Sequence, residues 1–264
     1  MSVVLPGETL AAETDNNCMT IVCEDNVTVT VEGVTDLKAY EFADRTEIVK
    51  VILPNTLTSI GEYAFLGCTA LEEIRIPESV REIGEGAFRE CTALRSLTIP
   101  EGVTAVPRYM CAWDSDLEKV SLPSGLRDIG SHAFAYCPEL KEIKIPDGVE
   151  HIGSNVFTNC KSLRKIEVPS SVQELESYAF AGCESLEKAV LPANDKLLGE
   201  YLFTGCHRLR EIVCMSPVPA PFDCDSPMFD HSESFMYKKC RLVVPEDKLR
   251  LYMEAPVWRL FFLN

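Results

Sequence analysis

Twelve cysteines and four histidines are the side chains of this 264-residue chain most able to do chemistry. Cysteine offers disulfide formation, metal ligation or nucleophilic attack, and spacing decides which is open. Six of the twelve, Cys68, Cys91, Cys137, Cys160, Cys183 and Cys206, fall at one phase of a 23-residue period. That regularity points to a ladder of buried thiols, because free cysteine behaves as a small hydrophobe. Adjacent rungs would lie about 4.8 Å apart, within disulfide range, but ladder side chains point the same way and fit the disulfide dihedral poorly. No C-x-x-C pair occurs, so zinc of the usual spacing is not expected. Cys18, Cys23, Cys111, Cys214, Cys224 and Cys240 lie off the ladder, and a pair among them near a terminus stays open.

The other reactive residues form no recognisable constellation. His132, His151 and His207 occupy variable positions of different units and are expected at the surface. No G-x-S-x-G, H-E-x-x-H or glycine-rich phosphate loop is present, so no enzymatic activity, cofactor or metal set is expected. Asp223, Asp225, Asp230 and Glu233 cluster in sequence without the spacing of a calcium loop. They read as solvated loop acids, with a calcium site as the alternative.

What must position these residues is a repeat. From Ile48 the same 23-residue unit recurs seven times through Arg208 without insertion or deletion. Each unit opens L-x-x-I-x-I-P, as in Leu71, Ile74, Ile76 and Pro77. The period-two alternation makes a short strand with Ile74 and Ile76 inward and Glu73 and Arg75 outward. Proline cannot donate to a ladder, so Pro54, Pro77, Pro100, Pro123, Pro146, Pro169 and Pro192 end the strands. The return half reads V-x-x-I-G-x-x-A-F-x-x-C, with Val80, Ile83, Ala87, Phe88 and Cys91 inward. Gly84 is expected to supply a turn conformation that a Cβ would resist. The segment around Phe88 has room for one helical or 3₁₀ turn. No unit can bury its own apolar edge, so stability must come from neighbour stacking.

The segments IPESVREIGEGAFREC and IPDGVEHIGSNVFTNC resemble the BspA-like leucine-rich-repeat proteins. The resemblance covers roughly residues 34–213. It implies a right-handed, curved leucine-rich-repeat solenoid with short parallel strands on the concave face and turns or 3₁₀ pieces on the return side. It also implies a bacterial surface or secreted protein that binds other proteins or host matrix. The family supplies no catalytic residues to carry over.

Two units depart from the pattern. In residues 94–116 Pro107 replaces glycine, Cys111 sits at the phenylalanine phase and Asp114 at the cysteine phase. The leading expectation is a two-residue slip, in which Ala112–Trp113 stands for Ala–Phe and Trp113 fills the core. The alternative is a bulge presenting Tyr109, Trp113, Asp114 and Asp116 as a binding patch. In the seventh unit Asp195 stands where valine is expected.

Three segments are expected: an N-terminal cap over 1–47, a solenoid over 48–213 and a C-terminal cap over 214–264. CMTIVC and VTVTV around EDN predict a hairpin over 18–31, with Val27, Val29 and Val31 displaced one residue from the repeat's strand phase. At the other end CRLVVP predicts a strand, and EDKLRLYMEAPVW a helix that closes the stack.

Outward strand residues define the expected recognition surface: Lys50, Glu73, Arg75, Lys119, Glu142, Lys144, Lys165, Glu167, Lys188 and Glu211. Their mixed signs also avoid like-charge repulsion along a ladder. Net charge is −16, which opposes nucleic acid and anionic lipid and suits basic partners or divalent cations. No apolar run reaches the ~18 residues of a membrane span. The start, MSVVLPGETLAAETDNN, shows no signal peptide, so a cytoplasmic chain and a processed one are both open. The expected function is a non-enzymatic, monomeric interaction module at the cell surface or outside the cell. Its partner is a protein ligand, with no nucleic acid and no membrane insertion. A structural spacer or a cytoplasmic scaffold is the alternative.

Overall fold

The computed structural model describes residues 9–12, 19–23, 28–193, 197–220, 228–233 and 235–263. Parallel-strand coils stack with a 23-residue register into a solenoid of about eight turns. We number the complete coils one to seven from Ile48, so coil two is residues 71–93. Asp195 of coil seven lies outside the described residues, as do Asp223 and Asp225.

The strand face follows from the alternation. Lys50–Ile52 pairs in parallel with Glu73–Arg75, residue for residue at a spacing of 23. Ile74 and Ile76 are buried while Glu73 and Arg75 are exposed. The proline then opens a turn. Its carbonyl accepts the N–H three residues on, as from Val80 to Pro77 at 3.0 Å and from Val149 to Pro146 at 3.2 Å. A second, two-residue strand follows in the return half, as at Ser59–Ile60, Glu82–Ile83, Asp128–Ile129, His151–Ile152 and Glu174–Leu175.

The glycine after this strand has a different purpose from the one expected of it. Gly84 does not have positive φ. A Cβ there would lie 2.3 Å from the Glu62 nitrogen, so glycine lets neighbouring coils touch backbone to backbone. Positive φ is used two and six residues later, at Tyr63 and Gly67 in coil one, Gly86 and Glu90 in coil two, and Asn155 and Asn159 in coil five. Alternating hand makes the return segment a chain of linked turns. Its N–H groups reach the next coil, for example Phe42 to Ala64 O at 2.8 Å and Phe65 to Ala87 O at 2.8 Å.

Phe42, Phe65 and Phe88 stack at 5.3 and 5.4 Å, and Phe134, Phe157, Phe180 and Phe203 at 5.7 to 5.8 Å. All are fully buried, each contributing about 1.5–3 kcal/mol of apolar burial. The six ladder cysteines are buried free thiols. Each donates to a carbonyl 26 residues earlier, as Cys160 Sγ to Phe134 O at 3.2 Å. Cys111, Cys214 and Cys240 are also buried and unpaired. Cys18, Cys23 and Cys224 lie outside the described side chains.

Both ends adapt the stack. Met19–Cys23 and Thr28–Glu32 pair antiparallel. The latter then pairs in parallel with coil one at a spacing of 22, Val29 opposite Val51, which accommodates the one-residue displacement. At the other end Arg241–Val243 extends the strand face beside Glu211–Cys214. Phe229 packs at 6.2 Å from Phe203, Tyr252 Oη donates to Ser216 O, and Trp258 Nε1 donates to Ala220 O. Glu233 is not a solvated loop acid. It is buried, and its carboxylate accepts the Gly205 N–H at 3.0 Å, which in an inner coil would bond the next coil's carbonyl. Among the described residues no helix is long and apolar enough to cross a membrane.

Candidate interaction surfaces

The strand face is not one continuous sheet. Lys50–Ile52 and Glu73–Arg75 end one sheet, Ser96–Thr98 and Lys119–Ser121 form a second, and Lys165–Glu167 begins a third. In coil five the corresponding segment makes only the bridge from Glu142 to Lys119. A groove of about 1050 Å³ opens at this interruption. Its walls include Lys119, Glu142, Lys144, Lys165, Glu167 and Val190. Five of the ten charged residues expected on the recognition surface therefore meet in one place.

The other five lie along the same face outside the groove. Lys50 pairs with Glu73 at 2.9 Å and Lys188 with Glu211 at 2.6 Å, while Arg75 is exposed. The hydrogen bond from Lys188 holds the Glu211 carboxyl below its ordinary range. Within the groove Lys165 pairs with Glu167 at 2.5 Å. Among the described residues, Lys119 and Lys144 have no carboxylate within 4.0 Å. The groove thus carries two lysines without a direct ion pair, among walls that also include Glu101, Glu142 and Asp147.

Coil three corrects the leading expectation for residues 94–116. There is no slip. Phe88 N–H reaches Met110 O at 2.9 Å, and Cys111 N–H reaches Ala133 O at 2.8 Å, in the 22-residue register of coils one, four, five and six. Met110–Cys111 therefore occupies the Ala–Phe positions, both side chains fully buried. A slip would misalign a run of inter-coil hydrogen bonds, each worth about 1 kcal/mol. Methionine for alanine also restores volume that cysteine lacks beside phenylalanine.

Trp113 lies instead on the outer surface, half-buried, at φ 67°. It stacks on Tyr136 at 5.1 Å and 4°, with the Arg89 guanidinium 4.6 Å over its ring. Tyr109, at φ 56°, stacks on His132 at 4.7 Å. These rings stack on one another across the coils, and Tyr136 is exposed. Asp116 is exposed, but Asp114 is 0% exposed and so is absent from this patch. Its Oδ1 accepts the Cys91 N–H at 2.8 Å, while Oδ2 has no partner. Burial pushes the carboxyl well above its ordinary range, against the hydrogen bond from the Cys91 N–H.

Two sets of residues escaped the sequence reading. Tyrosine recurs two residues before the core aromatic, at Tyr40, Tyr63, Tyr178 and Tyr201, and forms the pairs Tyr40–Tyr63 and Tyr178–Tyr201 at 5.1 Å. The Y-x-F spacing was the available signal. The second set surrounds His151, which is half-buried rather than a free surface residue. Its Nδ1 lies 2.8 Å from Asp128 and its Nε2 lies 2.9 Å from Glu176. The signal was Glu176 itself, an acid at the glycine phase of coil six.

The family model described as the BspA type leucine rich repeat region matches residues 35–160 and 127–220, in six copies. No curated protein matches the chain. The solved leucine-rich-repeat protein of T. pallidum is 25% identical, with TM-score 0.54 over 76% of this chain and 87% of that one. A leucine-rich-repeat protein from Bacteroides ovatus is 23% identical, with TM-score 0.54 over 92% of this chain and 79% of its own length.

Proposed function

This chain belongs to the BspA-type leucine-rich-repeat family, and on that premise we propose that it is a non-enzymatic interaction module that seats a segment of a protein ligand in the groove of coils four to six. Leucine-rich-repeat proteins are generally protein-interaction modules. The observation that carries the reading is the coincidence of the sheet's interruption with Lys119 and Lys144, neither of them paired, beside Lys165, Glu167 and the apolar Val190. A ligand segment presenting carboxylates next to an apolar side chain satisfies both features. The family resemblance supports placing the module at the cell surface or outside the cell.

A cytoplasmic scaffold is the second reading, favoured by one observation. The nine cysteines whose side chains are described are all free, as in a reducing compartment.

The test is a screen of short peptides of graded charge against the intact chain. Acidic, apolar-anchored peptides should be selected. The combined Lys119→Glu and Lys144→Glu variant should weaken their binding at least tenfold, whereas Lys50→Glu should not. A captured ligand whose affinity ignores charge reversal at Lys119, Lys144 and Lys165 would exclude this face as the site.

A further inference from the structure

The narrow strands of the return half bring three ionisable residues into line. Asp128 of coil four pairs with His151 of coil five, which pairs with Glu174 of coil six. Neighbouring strands stand about 4.8 Å apart, so the three side chains form a short column. Glu176 joins them because coil six carries an acid where coils one, two, four, five and seven carry Gly61, Gly84, Gly130, Gly153 and Gly199.

The arrangement is specific in its details. Glu176 Oε2 is held by the Ser154 N–H at 2.9 Å and by the Ser154 hydroxyl, which fixes the carboxylate plane. Its other oxygen, Oε1, faces His151 Nε2 at 2.9 Å. His151 Nδ1 meets Asp128 Oδ2 at 2.8 Å on the opposite edge of the ring. Ligand atoms of His151, Glu174 and Glu176 all lie within 4.8 Å of one another. Among the described residues no lysine or arginine nitrogen lies within 4.0 Å of Glu174 or Glu176. With Nδ1–H given to Asp128, an unprotonated Nε2 would set its lone pair against a carboxylate oxygen. Something positive must stand between them, either a second ring proton or a cation.

We propose that His151 Nε2, Glu176 Oε1 and a Glu174 carboxylate oxygen bind a divalent first-row transition ion such as Zn²⁺, with Asp128 as the residue that positions the imidazole. Two ligand atoms each about 2.1 Å from a tetrahedral metal stand about 3.4 Å apart, so Nε2 and Oε1, now 2.9 Å apart, need part by only about half an ångström to admit one. One imidazole with two carboxylates suits Zn²⁺ or its neighbours in the series better than Ca²⁺, which favours an all-oxygen shell. A ligating histidine almost always donates its other N–H to a carboxylate or carbonyl, and Asp128 stands in that place. Glu174 needs only a side-chain adjustment to close the third position. The ligands come from two coils, too far apart in sequence for a contiguous motif to reveal them. Metal binding would clasp coil five to coil six.

The test titrates Co²⁺ into the intact chain and follows its visible absorption, then displaces it with Zn²⁺. One equivalent should bind with a nitrogen–oxygen spectrum and no thiolate charge-transfer band. His151→Gln and Glu176→Gln should each weaken binding at least tenfold. Asp128→Asn should weaken it about tenfold with the spectrum kept. Glu174 is hydrogen-bonded through its backbone, to Glu150 O, while its side chain makes no hydrogen bond or ion pair among the described residues, so Glu174→Gln should fold normally and still lose affinity. A thiolate spectrum, no stoichiometric binding, or affinity indifferent to Glu174→Gln and His151→Gln would each overturn the assignment.

Discussion

Coils two and three share one backbone and fill it in opposite ways. Coil two keeps its aromatic inside, with Phe88 stacked on Phe65 and Cys91 donating its thiol to Phe65 O. Coil three keeps its aromatics outside, with Tyr109 and Trp113 at the left-handed positions that Gly86 and Glu90 hold in coil two. Its interior receives Met110, Cys111 and a carboxyl group instead. The inter-coil hydrogen bonds of the linked turns keep the same register in both, from Phe88 N–H to Met110 O and from Cys111 N–H to Ala133 O, although Pro107 lacks the N–H with which Gly84 reaches Ile60 O. The backbone ladder therefore sets the register, and the side chains adapt to it. The phenylalanine column is dispensable at one rung, provided volume is restored nearby and outer rings staple the coil to its neighbours.

Three measurements can break or sharpen this contrast. The largest effect should come from the conventional interior. Phe88→Ala should destabilise the fold by about 3–5 kcal/mol in chemical denaturation, against about 1 kcal/mol for Cys111→Ala. Equal costs would mean that coil three relies on its inner column as much as coil two does.

Next is the pH response of Asp114. The unfolded chain releases this proton near the ordinary carboxylate value of about 4, whereas the native state retains it to higher pH because burial disfavours the charged form. Between those two values the native state binds more protons, so stability falls as pH rises. The slope is about 1.4 kcal/mol per pH unit relative to Asp114→Asn, which cannot ionise. Below the unfolded value both states are protonated and the pH-dependent difference vanishes. Parallel stability curves for the two proteins from pH 4 upward would refute a retained proton.

The smallest effect belongs to the outer staple. Trp113→Ala should cost about 1–2 kcal/mol by removing the stack on Tyr136 and the Arg89 contact. Trp113→Phe should recover most of that loss. A cost like that of Phe88→Ala would instead place Trp113 functionally in the core.

Much of the fold was legible because the repeat displays its own period. The inward Ile74 and Ile76, the turn-opening prolines and the Phe–Cys interior each follow from a residue type recurring at fixed phase. The reading of coil three failed for an instructive reason. It matched Trp113 to the missing phenylalanine by aromatic type, but register is counted by backbone hydrogen bonds and not by ring chemistry. Gly84 was misread similarly, because sequence marks where a Cβ is unwelcome without saying whether φ or a neighbouring backbone forbids it. The charged strand residues were identified individually. Their gathering into one groove was not, since it depends on where coil five leaves the sheet.

The sequence by itself determined coil length, strand phase, the inward set and the need for caps, because each is a one-dimensional regularity imposed by stacking identical units. Tertiary structure alone decided what the irregular residues do. It put Trp113 outside and Asp114 inside, left Lys119 and Lys144 without acidic partners, and set His151 among acids from coils four and six. Those outcomes depend on contacts between residues about one coil apart, and a repeat unit read singly holds no information about its neighbour's exceptions.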